Sequence, residues 1–193
     1  MEVAIREQKY RNKIHPKKFA LWVSCASIIM MFGAMTSAYI VRQAAGNWLE
    51  FRLPNLFFIS TVVIVLSSLT LEGSFQAFKR KHTLLYKGLM WATFILGLAF
   101  VVLQYQGWVA LAANGIELNG NPSGSFVYVI SGLHAAHVLG GLAALFVALL
   151  HALSLVHKVT KKRLLRFDLT RTYWHFVGVL WVYLIVFFVL QQS

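Results

Sequence analysis

Five stretches almost free of charged side chains, each about as long as a bilayer is thick, succeed one another along this chain: residues 19–41, 55–78, 88–113, 125–157 and 172–190, interrupted only at Glu72. In hydrocarbon no water is available to the backbone, so a spanning segment must bond its own N–H and C=O groups, which a helix does. The chain is therefore read as all-α, a polytopic membrane protein whose five transmembrane helices form a single domain over residues 1–193. Composition agrees, with 59% hydrophobic and 12% charged residues, against roughly 25% charged in soluble domains. The fourth window is long enough for a tilted helix or one that emerges from the membrane, and length does not choose between them. Pro16, Pro54 and Pro122 all precede spans, as suits a residue without a backbone N–H. The first span, 23 residues after a polar leader of 18, is too long for a signal-peptide h-region and reads as a retained helix.

A formal charge of +12 would suggest nucleic acid in a soluble protein. Here the basic residues sit between the spans and read as a topology signal instead. Six precede the first span (Arg6, Lys9, Arg11, Lys13, Lys17, Lys18), four lie in the second loop (Lys79, Arg80, Lys81, Lys87) and six in the fourth (Lys158, Lys161, Lys162, Arg163, Arg166, Arg171). The other side has only Arg42 and Arg52, a split of sixteen to two. By the positive-inside rule the N-terminus lies in the cytoplasm and the C-terminus outside. Trp22, Trp91, Tyr173 and Trp174 on one side, with Tyr39, Trp48, Trp108 and Tyr128 on the other, suit an interfacial aromatic belt. Cys25 stands alone, so no disulfide framework or CxxC site exists.

Polar side chains within spans are costly and mark positions to watch. The fourth span holds His134, His137 and His151, the fifth His175, the second Glu72. His134 and His137 fall on neighbouring faces near mid-bilayer, as neutral donors to facing helices or as metal ligands. Glu72 and His151 each precede a cytoplasmic base by seven residues and should share a depth. With His175 they are expected to form one polar cluster, Glu72 bonding His151 or His175. A row of small residues on the fourth span, Gly132, Ala136, Gly140, Ala144, Ala148 and Ala152, suits close approach of another helix.

His137 and His151 lie fourteen residues apart on about one face, a spacing that suits two stacked haems in a b-type cytochrome anchor. No other span offers a matching pair. HExxH, GxxxxGK[ST] and GxSxG are absent, as are Gly/Pro-broken half-helices, so protease, nucleotide, hydrolase and transporter readings lack residues.

Gly124 to Leu142 (GSFVYVISGLHAAHVLGGL) and Tyr173 to Trp181 (YWHFVGVLW) resemble the signature segments of subunit III of haem–copper terminal oxidases, the cytochrome c and quinol oxidase family. LSSLT (Leu66 to Thr70), LGLAF with Gln104 and Trp108, and FGAMTSAYIVR in the first span extend the similarity across all five spans. It is closest to the short bacterial form without two additional N-terminal helices. Three acidic positions of the family pattern are lost. Ile28 follows Ser27 where many members have Glu, Gly107 precedes Trp108 where QxxE[WY] is common, and Gly178 follows YWHFV where YWHFVD is usual. The resemblance links the first of these to proton uptake or the oxygen route, which Ile28 cannot serve by carrying a proton.

The resemblance implies a non-redox accessory subunit, in the bacterial plasma membrane, of a proton-pumping oxidase in aerobic respiration. Such a subunit stabilises the catalytic one and contributes a lipid or oxygen route. It implies haem and copper in partner subunits I and II, none bound by this chain, phospholipid as a ligand, and a larger respiratory supercomplex as a further assembly. His134, His137, Trp174 and His175 carry over as hydrogen-bonding and packing positions, with no catalytic residue. The sequence itself lacks a histidine set for two haems and copper, and a Cys/His/Met set for a dinuclear copper site.

Overall fold

The computed structural model describes residues 15–154 and 159–191. Arg6, Lys9, Arg11, Lys13, Lys158 and the end of the fourth window at 155–157 lie outside the described residues. Five helices account for nearly all of the rest: α1 (Pro16–Ala44), α2 (Asn55–Lys79), α3 (Thr83–Ala113), α4 (Pro122–Ser154) and α5 (Lys161–Leu190). All five are long and apolar enough to cross a membrane, and no strand occurs among the described residues. Pro16 and Pro122 open their helices and Pro54 caps α2.

Hydropathy locates the hydrocarbon-matched part of a helix, and the helices run past it. α5 begins at Lys161 rather than near residue 172, and α3 at Thr83 rather than 88. The Thr160 hydroxyl caps α5 by accepting from the Arg163 amide at 3.3 Å. Its first turns are amphipathic, with Phe167 buried while Lys161, Lys162 and Arg166 stay exposed. A charge-free window could not see this extension.

α2, α3, α4 and α5 form a ring in that order, α5 closing back on α2. α1 packs outside it against α4 and α5, without contact to its sequence neighbour α2. The ring is built on seven-residue repeats, the signature of left-handed supercoiling. α2 buries Phe57, Ser60, Ile64, Ser67, Leu71, Ser74 and Phe78. α3 answers with Tyr86, Met90, Thr93, Gly97, Phe100, Gln104, Gly107 and Leu111. Each series alternates steps of three and four. α5 carries Phe167, Trp174, Trp181 and Phe188, one buried ring every seventh residue.

Successive helices alternate in direction, so one end of the bundle gathers the starts of α1, α3 and α5 with the ends of α2 and α4. Lys18 meets Asp168 there, and Glu72 meets Arg171. All described basic residues except Arg42 and Arg52 belong to this basic end. At the opposite end Arg42 and Arg52 are matched in number by Glu50 and Glu117. Asn121 ties that end together, accepting from the Leu49 amide at 3.2 Å and donating to the Asn47 carbonyl at 3.1 Å.

Candidate functional site

Small and hydroxylated residues recur on α2 every seventh position, and each makes a cross-helix bond, Ser67 two. Ser60, Ser67 and Ser74 are fully buried. Ser60 Oγ accepts from Gln104 Nε2 at 2.9 Å. Ser67 Oγ accepts from Trp174 Nε1 at 3.0 Å and donates to the Thr93 carbonyl at 3.3 Å. Ser74 donates to the Tyr86 carbonyl at 3.0 Å. Short side chains let the backbones of α2 and α3 approach, and their hydroxyls satisfy the polar atoms brought along. The sequence reading missed this seam, though serine at 60, 67 and 74 is visible in the letters.

Trp174 is where the seam meets the rest. Its indole is fully buried between two glycines. A Cβ on Gly97 would lie 2.8 Å from Trp174 Cη2, and one on Gly141 would lie 3.0 Å from Cε3. A methyl group at Gly97 would force its neighbours to shift, and one at Gly141 would need the ring to give by a few tenths of an ångström. One heptad along, Trp181 Nε1 donates to Thr61 Oγ1 at 3.0 Å. The Trp181 ring stacks on His134 at 4.9 Å between centroids, 28° off parallel. Phe100 and Phe32 close on the same imidazole edge-on, at 5.9 and 6.3 Å. The segments LSSLT, LGLAF, GLHAAHVLGG and YWHFV thus converge on one packing hub.

His134 is fully buried, and neither ring nitrogen meets a hydrogen-bond partner among the described residues. The donor to a facing helix expected from the sequence is absent; aromatic packing takes its place. His137, half-buried on the neighbouring face, donates from Nδ1 to its own helix at the Leu133 carbonyl, 2.7 Å away. Its backbone carbonyl accepts from the Tyr173 hydroxyl at 3.1 Å. Trp174 and Tyr39, assigned to interfacial belts by sequence, are core residues, whereas Trp22 and Trp91 are exposed.

At the basic end an ionic cluster joins three helices. Arg171 Nη1 reaches both Glu72 oxygens at 3.2 and 3.1 Å, and Nη2 reaches Asp168 at 3.0 Å. Asp168 also pairs with Lys18. His175 Nε2 lies 3.5 Å from Glu72. Two full positive and two negative charges cancel within the cluster, so none is left uncompensated at the edge of the hydrocarbon. Asp168 and Arg171 were missed as cluster members because the sequence reading counted Arg171 only as a topology charge. His151 is not part of it: exposed, its Nδ1 bonds the Val147 carbonyl at 2.7 Å, and its ring lines a groove bounded by α3, α4 and α5.

The row of small residues on α4 is not filled by another helix of this chain along its length. Ala136 and Gly140 are exposed, and a Cβ on Gly132 would meet nothing within 4 Å. Gly141, beside the row, makes the close contact. Of the positions where the family pattern is acidic, Gly107 lies under the Phe57 ring and Gly178 against Ser68, a Cβ meeting them at 3.0 and 3.2 Å. Ile28 packs half-buried on the core. No group of three or more His, Cys, Asp or Glu side chains suited to a metal ion occurs among the described residues. The hub holds no carboxylate among the described residues, and its hydroxyls at Ser67 and Thr61 are engaged by the two indoles, so what the arrangement offers is rigidity.

The family model for Cytochrome c oxidase subunit III matches residues 18–192. A Nocardia farcinica protein named Probable cytochrome c oxidase subunit 3 is 30% identical over 168 residues, covering 84% of this chain and 80% of the relative. A Corynebacterium diphtheriae Cytochrome c oxidase subunit 3 is 28% identical, covering 82% and 80%. A Buchnera aphidicola Cytochrome bo(3) ubiquinol oxidase subunit 3 is 24% identical, covering 92% and 87%.

Proposed function

This chain belongs to the cytochrome c oxidase subunit III family, the accessory subunits of haem–copper oxidases that themselves lack redox centres, and on that premise we propose how it serves the complex. It stands in the plasma membrane of a bacterium, basic end in the cytoplasm, as a rigid colourless flank to the haem- and copper-bearing subunit I and to subunit II. It stabilises the catalytic subunit, and its lipid-facing surfaces furnish a route for lipid and oxygen. Proton uptake has no carrier at Ile28, so that role passes to the partners. The electron donor is likewise the partners' property, since relatives named for cytochrome c and for ubiquinol both align over most of this chain.

The observation that supports this reading is the destination of the signature segments. They meet around Trp174 and Trp181 in a hub made of packing and single hydrogen bonds. Such a hub fixes the outer shape that a partner recognises. The haem-anchor alternative draws no support from the geometry. A haem-ligating histidine would use Nε2, so the Nδ1 bonds of His137 and His151 to their own helix are no obstacle; what is missing is a second spanning helix with two histidines, α5 offering His175 alone, beside Glu72.

Affinity isolation of the tagged full-length chain from its native membrane in mild detergent tests the proposal. A large haem-bearing subunit is expected in stoichiometric yield. Recovery of the chain without one would reject it.

A further inference from the structure

The loop between α3 and α4 carries two Asn-Gly dipeptides, Asn114–Gly115 and Asn119–Gly120. In such a pair the glycine nitrogen can reach the carbonyl carbon of the preceding side chain, because no Cβ crowds that nitrogen or restricts its rotation. All four residues are exposed, so access to water does not tell the two apart. Hydrogen bonding does.

Asn114 closes α3. Its Nδ2 donates to the Ala110 carbonyl at 2.7 Å, and its own amide donates to the Leu111 carbonyl at 3.1 Å. The Gly115 amide, the nitrogen that would have to attack, donates to the Ala112 carbonyl at 3.0 Å, and the Ile116 amide reaches back to Leu111 at 3.1 Å. Gly115 holds φ at +78°, the left-handed conformation that ends a helix. Turning the Asn114–Gly115 peptide towards the side chain would break this whole cap.

Asn119 has no such hold. Neither its backbone nor its side chain makes a hydrogen bond among the described residues. The Gly120 amide has a single, longer bond, to the Glu117 carbonyl at 3.3 Å. The chain is fastened on either side, Leu118 by the Ser125 hydroxyl, which donates to its carbonyl, and Asn121 by its bonds to Leu49 and Asn47. Asn119 and Gly120 are the loose tip between these anchors, where rearrangement has little to break.

We propose that Asn119 is a site of spontaneous deamidation through a cyclic imide, and that Asn114 is protected from it. The Gly120 nitrogen attacks Asn119 Cγ; the new N–C bond forms as the Cγ–Nδ2 bond breaks, and Nδ2 leaves as ammonia with the proton that the Gly120 nitrogen gives up. Water then opens the imide. Attack at Cγ restores the ordinary backbone with a carboxyl side chain, and attack at the backbone carbonyl carbon routes the chain through Cγ as isoaspartate. Either product puts a carboxylate where a neutral amide stood, on the wall of a groove that Arg42 also lines. Glu50 and Glu117 match Arg42 and Arg52 in number at this end of the bundle, so the product turns the balance negative.

The test ages the full-length chain, with whatever partners co-purify in mild detergent, at mildly alkaline pH in heavy-oxygen water, and reads the loop peptides by mass spectrometry. Label taken up from the solvent separates product formed during ageing from product formed in digestion. Asn119 should convert at least about tenfold faster than Asn114, which must first give up its cap. In the denatured chain the two should react at similar rates. Gly120→Ala, whose Cβ would come no nearer than 3.5 Å to the Glu117 carbonyl oxygen, should fold as the parent does and slow the conversion about tenfold. Asn119 left intact in the native chain while the denatured chain converts overturns the proposal, as does Asn114 keeping pace with Asn119 before denaturation. So does a rate that Gly120→Ala leaves unchanged, which would assign the loss of ammonia to direct hydrolysis of the amide.

Discussion

Whether a glycine on these helices tolerates a methyl group depends on which ring lies over it. Gly97→Ala places a Cβ 2.7 Å from Leu142 Cδ2 and 2.8 Å from the Trp174 ring, and a fully buried indole has little room to move. It should cost about 1–3 kcal/mol. Gly33→Ala meets nothing within 4 Å and should be neutral or stabilising by up to about 1 kcal/mol. Reversible unfolding in mixed detergent micelles compares the two. His134 makes a second case. If packing alone holds it, His134→Phe keeps the stack on Trp181 and removes an unpaired buried imidazole, costing no more than about 1 kcal/mol, whereas His134→Ala leaves a cavity worth about 3 kcal/mol. Equal losses in the same assay would mean that the imidazole has a polar partner. The letters singled out His134 as a polar position within a span, and the family resemblance added Trp174, but neither gave their surroundings. A histidine within an apolar run reads alike whether its neighbours donate hydrogen bonds or offer only rings.

The five helices were legible because charge-free length is a direct readout of bilayer thickness. Their ends were less so. The first three turns of α5 carry Lys161, Lys162, Arg163, Arg166, Asp168 and Arg171, and a search for charge-free windows discards them. Yet these turns hold the cluster that fastens α1, since Lys18 of α1 pairs with Asp168, which also holds Arg171. α1 has few other polar ties to the ring, the Thr36–Tyr183 hydroxyl pair at 3.0 Å being one. Asp168→Asn should therefore loosen α1 specifically. The side chains are a fifth to two-fifths exposed, so the loss should stay near 1 kcal/mol and shrink in high salt. Cleavage within the first turns of α1 by added protease, followed against salt concentration, measures it. Equal protection of variant and parent at low salt would show that apolar contacts alone seat the helix.

At the scale of the whole molecule, charge and shape divide the labour. The two ends differ sharply in basic residues, and the proposed orientation follows from that difference. Cysteine introduced at Lys81 should react with a membrane-impermeant maleimide only in inverted vesicles, and cysteine introduced at Asn119 only in intact cells. Fold class followed from charge-free length and composition, whereas family membership needed particular strings, GLHAAHVLGG and YWHFV. The structure supplies the physical reason: Gly141, His134 and Trp174 within them are contact points between α3, α4 and α5. The serine seam on α2 and the ring order of the helices were not read, because pairing between distant segments leaves no mark in either one alone. The central claim is that this subunit carries no redox centre and attaches to one that does. Haem and copper should be determined per mole in the complex isolated through this chain, and again in the chain after it is dissociated. The account predicts both cofactors in the complex and neither on the released chain; stoichiometric haem or copper remaining on the released chain would contradict it.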